Sequence, residues 1–258
     1  MIEHQLSPLV SERFLTDERY KTGHLRIINA LPKRRIQGVH VPEMKKLAKV
    51  LARKGDVFIH LAEFKKAYDA DPFSLTYEET VVWGLIINAL KLPWEDRKPI
   101  LEDYIPVLDN WGVCDTFCCN AKWKVDKTAL WAFLEPYWAS NREFEVRFAI
   151  VMSMTRLLDE EYFPLICQKI DSLDLSTIHS DYEKPVKGVH LDPNKGICIG
   201  ESPYYVRMGV AWLLATALAK MPEQTRDYIH KSALPEDVIK LYKRKARESL
   251  ITRHVSPL

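Results

Sequence analysis

No stretch of the chain approaches the roughly 18 consecutive apolar residues that a membrane-spanning helix needs. The opening MIEHQLSPLVSERF is polar and mixed, without the apolar core of a secretory leader. These features predict a soluble, cytoplasmic protein. Cysteine is scarce and odd in number: five in 258 residues exclude a regular disulfide framework. Cys114, Cys118 and Cys119 cluster, yet no second CxxC or nearby histidine completes a zinc set, so small buried thiols and no metal are expected. No cofactor motif is evident. Clean period-two alternation is also lacking, which argues against a sheet protein.

Helical period fills the space that these absences leave. VPEMKKLAKVLARKG opens with Pro42 in its first turn, sets Met44, Leu47, Ala48 and Leu51 on one face, and ends at Gly55. TYEETVVWGLIINALK starts at Thr76 with Glu79 three residues on, a capping-box pattern. Further helices are predicted over 58–70, 95–104, 106–121, 126–139, 141–158, 160–172, 202–220, 222–231 and 235–250. Short breaks with Pro, Gly, Asp or Asn separate most of them, as in antiparallel pairs. Pairs recurring about every 35–45 residues, in the length range of HEAT and armadillo repeats, predict an all-α solenoid forming one domain over 1–258, although no strict repeat is visible. Residues 173–202 break the pattern, being polar and rich in Gly and Pro. They read as a flexible insertion, or else as a hairpin turning near Asp192–Pro193–Asn194.

Charge is unevenly spread. Residues 1–66 hold 14 Lys/Arg against 7 Asp/Glu, and 220–258 hold 9 against 5, leaving the middle with a net charge of −9. Two basic ends suit a phosphate-facing rim, while solvated helix faces produce the same bias.

Three helical stretches carry polar or very large residues on apolar stripes. In LDNWGVCDTFCC, Trp111, Cys114 and Cys118 share a face, and Asp115 lies one turn after Trp111 at the flank of that face. In REFEVRFAIVMSMTRLL, Arg147 falls between Phe144 and Val151 on an apolar stripe. A guanidinium there needs an internal partner, with Asp115 and Glu145 as candidates, or access to a groove. YYVRMGVAWLLATALAK is apolar almost all round from Met208 to Ala219, with Trp212 as its one very large side chain, a core anchor or a cavity wall.

Taken in order, DERYKTGHLRIINALPKRRIQGVHVPEMKKLAK with Gly38-Val39-His40-Val41-Pro42, then NWGVCD, FEVRFAIV, YYVRMGVAWLLA and the tail RKARES resemble the AlkD-type DNA alkylation repair family of HEAT-like helical proteins. The resemblance spans roughly residues 15–250. It implies a solenoid whose concave, basic surface holds duplex DNA, and excision of N3- or N7-alkylated purines by hydrolysis of the N-glycosidic bond. Position by position, it assigns the Trp-x-x-x-Asp pair to Trp111 and Asp115, a later cleft tryptophan to Trp212, a phosphate-holding arginine to Arg147, and a DNA-reaching position to His40. The chemistry suits these residue types. Alkylation makes the purine a cationic leaving group, a carboxylate stabilises oxocarbenium charge on the sugar, and indole faces attract cations. The chain departs from active relatives at Asn110, where a further tryptophan is usual, and at Ala215, where an arginine is frequent. The expected protein is a monomer acting on alkylated double-stranded DNA without a cofactor. Alternatives are binding of DNA structures without excision and a protein-interaction scaffold. A cysteine hydrolase built on Cys114 and Asp115 is a weaker reading, since no histidine lies near in sequence.

Overall fold

A helix that is apolar on every side has to be surrounded, and two such helices organise the molecule. The computed structural model describes residues 2–258, and the chain divides into two compact units. The first runs to Val125 and adds Asp192–Gly196; the second comprises Asp126–Leu191 and Ile197–Leu258. The structure is predominantly helical. Among the described residues no helix is long and apolar enough to cross a membrane.

The first unit contains α1 (Glu3–Leu6), α2 (Glu12–Thr16), α3 (Glu18–Ile28), α4 (Val41–Leu51), α5 (Val57–Ala70), α6 (Tyr77–Ala89), α7 (Trp94–Tyr104) and α8 (Trp111–Asn120). Its centre is α6, buried from Tyr77 to Ile87 and packed by α4, α7 and α8. The capping box forms as its sequence predicts, with Thr76 Oγ1 accepting from Glu79 N and the Glu79 carboxylate accepting from Thr76 N. Two buried side chains then tie loops to this helix. The Glu78 carboxylate accepts the amides of Gln37, Gly38 and Val39. Arg97 reaches the carbonyls of Ile87 and Leu90, which α6 leaves unpaired at its end. Gly38 sits at φ 89°, and a Cβ there would lie 2.2 Å from the Phe14 ring, so this turn of the GV-x-x-P motif accepts only glycine.

The second unit contains α9 (Lys127–Trp138), α10 (Glu143–Arg156), α11 (Phe163–Asp171), α12 (Tyr204–Lys220), α13 (Pro222–Lys231) and α14 (Glu236–Glu248). Here α12 is the buried centre, packed by α10, α13 and α14. At Gly209 a Cβ would lie 3.4 Å from Ile150, at ordinary contact distance from α10.

Two expectations need revision. The helix read over 106–121 is broken: a 3-10 turn covers Ile105–Val107, and α8 begins only at Trp111 because Asn110 caps it. Within 173–202, two strands, β1 (Tyr182–Glu183) and β2 (Gly196–Ile197), pair, and Asp192 accepts from Asn194 N to close the turn. The two strands enclose residues 184–195, a longer connection than a hairpin turning tightly at Asp192–Pro193–Asn194 would have. The segment's anchor is Tyr182, fully buried with its ring 4.9 Å from that of Tyr205. The whole α1–α3 region was without a predicted helix, although α3 has legible ends in the Asp17 cap and the left-handed Asn29 at φ 50°.

Candidate functional site

In the first unit, Trp111 and Asp115 belong to a corner between α3 and α8. Asn110 makes that corner. Its Oδ1 accepts from Gly112 N at 2.7 Å, and its Nδ2 donates to Ile28 O and Asn29 O at 2.9 and 3.2 Å. One side chain thereby caps the start of α8 and satisfies carbonyls at the end of α3. Trp111 completes the staple, donating its indole N–H to Ile27 O at 3.2 Å, which fixes the ring while leaving it half-buried. Asp115 follows one turn later, also half-buried. The flank position expected for it is where it lies, with Cys114, Phe117 and Cys118 packed inward.

Tyr77 adds a residue that the sequence reading passed over. A Cβ on Gly112 would lie 2.5 Å from the Tyr77 hydroxyl, so Gly112 gives that phenol room beneath the first turn of α8. Burial holds the phenol well above its usual pKa, and the charges of Glu78, Asp115 and Asp109 add to the effect. It is thus a protonated group within the electrostatic reach of Asp115. The neighbouring Asp109 receives Arg34 Nη2 at 2.6 Å, while Arg34 Nη1 binds the carbonyls of Pro72 and Leu75.

His40 is exposed at the N-cap of α4. Its Nε2 lies 3.3 Å from the Tyr20 hydroxyl, and its ring meets His24 edge-on at 6.1 Å. Burial lowers the His24 pKa, and the neighbouring His40 lowers it further.

In the second unit, Arg147 is only 3% exposed. Its Nη1 donates to Tyr205 O at 2.6 Å, and its guanidinium lies over the Tyr205 ring at 5.8 Å. One turn earlier on α10, buried Glu143 accepts from Tyr205 N at 2.7 Å and from the Ser180 hydroxyl. Burial raises the Glu143 carboxyl; the Ser180 and Tyr205 hydrogen bonds and then the Arg147 charge pull it back. The carboxylate that interacts with Arg147 on its own helix is therefore Glu143. The suggested Glu145 bonds Arg142 Nη1 and Ser140 Oγ, both at 2.7 Å. Trp212 is half-buried on α12, three residues beyond Gly209, where a Cβ would sit 3.6 Å from Arg147 Nη1. Arg147 and Trp212 are thus carried by two directly packed helices.

Cys114 and Cys118 are buried, and burial drives the Cys118 thiol far above its usual pKa, which removes it as a nucleophile. No cluster of three or more His, Cys, Asp or Glu side chains able to hold a metal occurs among the described residues. No protein-family model, no curated protein and no solved structure matches this chain.

Proposed function

We propose that this protein is a HEAT-like helical DNA repair protein of the AlkD type that hydrolyses the N-glycosidic bond of N3- or N7-alkylated purines in duplex DNA. The observation carrying this reading is the pairing, one turn apart on α8, of a half-buried indole locked by Ile27 O and a half-buried carboxylate. Such a pair suits a sugar with developing positive charge: Asp115 stabilises the oxocarbenium or orients water, and Trp111 presents a π-face to it. The basic N-terminal 66 residues, with exposed His40 among them, supply charge for phosphates. The test is release of 7-methylguanine or 3-methyladenine from methylated duplex DNA by the wild-type chain and by Asp115→Asn. Loss of release in the variant, with folding and DNA binding retained, is expected; no release by the wild type would refute excision.

A second reading, DNA-structure binding without excision, is favoured by two observations. Asn110 is spent on capping where active relatives have a tryptophan, and Arg147 is buried against Tyr205 and Glu143. In either reading Arg147 acts as a positioning residue for α12. Duplex or junction affinity that falls steeply with salt is expected of both, and affinity indifferent to salt would count against both.

A further inference from the structure

A cleft within the second unit plays no part in the DNA reading. It opens where α11 ends and where α13 passes into α14, and its volume is about 520 Å³, inside the roughly 300–1,000 Å³ range of small-molecule sites. Ile170, Val210 and Val238, buried on α11, α12 and α14, supply apolar lining. The half-buried Leu173, Leu175 and Leu234 add to it. Charged side chains share the same lining. Asp171 and Asp174 come from the end of α11 and the turn after it, and Lys231 from the end of α13; all three are exposed. Asp171 accepts the Tyr228 hydroxyl at 2.7 Å, and Asp174 accepts Ser176 N and Oγ at 3.0 and 2.6 Å. Those donors are neutral, so both carboxylates keep an uncompensated charge. The Ser176 hydrogen bonds hold the Asp174 carboxyl below its usual pKa. Among the described residues Lys231 pairs with neither aspartate. Arg207, by contrast, is spent within the protein: Nη1 donates to both Asp237 oxygens at 3.0 and 3.2 Å, and Nε donates to Ser202 O at 3.2 Å.

The cleft therefore presents charges of both signs, not paired with each other, beside an apolar surface. We propose that it binds a free apolar α-amino acid: the ammonium meets Asp171 and Asp174, the carboxylate meets Lys231, and the side chain lies on Ile170, Val210 and Val238. A ligand of one charge satisfies only part of this lining and brings a like charge to the rest, whereas a zwitterion matches both parts. The site is independent of the DNA reading and stands or falls separately.

The test uses the ¹⁵N-labelled full chain and three probes of similar shape: phenylalanine, phenylalaninamide, which lacks the carboxylate, and 3-phenylpropanoate, which lacks the ammonium. At about pH 6 all three carry their full charges. Phenylalanine should shift the backbone amides of Leu173–Ser176 and Lys231–Leu234 saturably, and each of the other probes should bind roughly fivefold more weakly. Lys231→Met, a change at an exposed position, should bring phenylalanine down to the level of phenylalaninamide without weakening phenylalaninamide itself. Asp174→Asn keeps an acceptor for Ser176 and should weaken both of those probes alike. Absence of a saturable shift up to about 20 mM phenylalanine would overturn the proposal. Equal or tighter binding by either single-charge probe, or an unchanged phenylalanine affinity in Lys231→Met, would do the same.

Discussion

Replacing Asn110 by alanine should loosen the α3–α8 corner and the candidate site together. Three hydrogen bonds are lost, one to Gly112 N and two to the carbonyls of Ile28 and Asn29. Loss of an N-cap costs about 1 kcal/mol. Leaving two carbonyls without their donor in a buried setting adds roughly 1 kcal/mol each, so the total is on the order of 3 kcal/mol. Asn110→Ser separates the parts, because serine keeps the cap acceptor and lacks the two donors. It should therefore recover about 1 kcal/mol of the loss. Urea unfolding followed by circular dichroism reads both differences as midpoint shifts at constant slope. The Trp111 indole gives a local readout, since its N–H bonds to Ile27 O in the same corner and its resonance should move in Asn110→Ala. A loss below about 0.5 kcal/mol in Asn110→Ala would refute the reasoning, because surface substitutions away from caps and buried bonds cost no more than that.

Gly38→Ala should destabilise by about 3 kcal/mol, combining positive-φ strain with a collision against Phe14, and a thermal melt checks it. Burial raises the carboxyl pKa of both Glu78 and Glu143, so the folded chain binds these protons more tightly than the unfolded chain. Their contribution to stability is full below the unfolded carboxyl pKa and is lost as pH rises through the raised folded values. The stability difference between wild type and the Glu78→Gln/Glu143→Gln double variant should accordingly shift against wild type on going from pH 4 to pH 7; a shift the other way would sink the assignment. Arg147→Met should cost roughly 3–5 kcal/mol, because it leaves Glu143 and the Tyr205 carbonyl without a buried cation. It should leave the salt slope of DNA binding unchanged, whereas removal of a true phosphate contact would lower that slope by about 1.

The long helices were legible because their signals are local. The Thr76–Glu79 box and the apolar run behind it define α6 without help from the rest of the chain, and the small residues of α12 announce close packing. What escaped depends on partners distant in sequence. Asn110 looks like one polar residue within a helical stretch until the ends of α3, about eighty residues earlier, supply its acceptors. Tyr182 looks like a loop residue until Tyr205 and Phe144 enclose it. Tyr77 gives no chemical signal of its own, since only the open space at Gly112 brings its hydroxyl under α8.

The two charged residues on apolar stripes show what helical period can decide. Asp115 and Arg147 raise the same question in sequence, a charge beside large apolar neighbours. Period places Asp115 at the edge of its stripe, and it stays half-exposed; period places Arg147 at the centre of its stripe, and it is buried. Residues three or four away on a helix share a face with a central position and can reach it. Glu143 is four residues before Arg147 and meets that condition, whereas Glu145 is only two residues away, turned to another side, and pairs with Arg142. The edge position is therefore the more accessible of the two, so under the proposed reading chemistry should follow Asp115, while Arg147 sits on a helix packed against the one that carries Trp212.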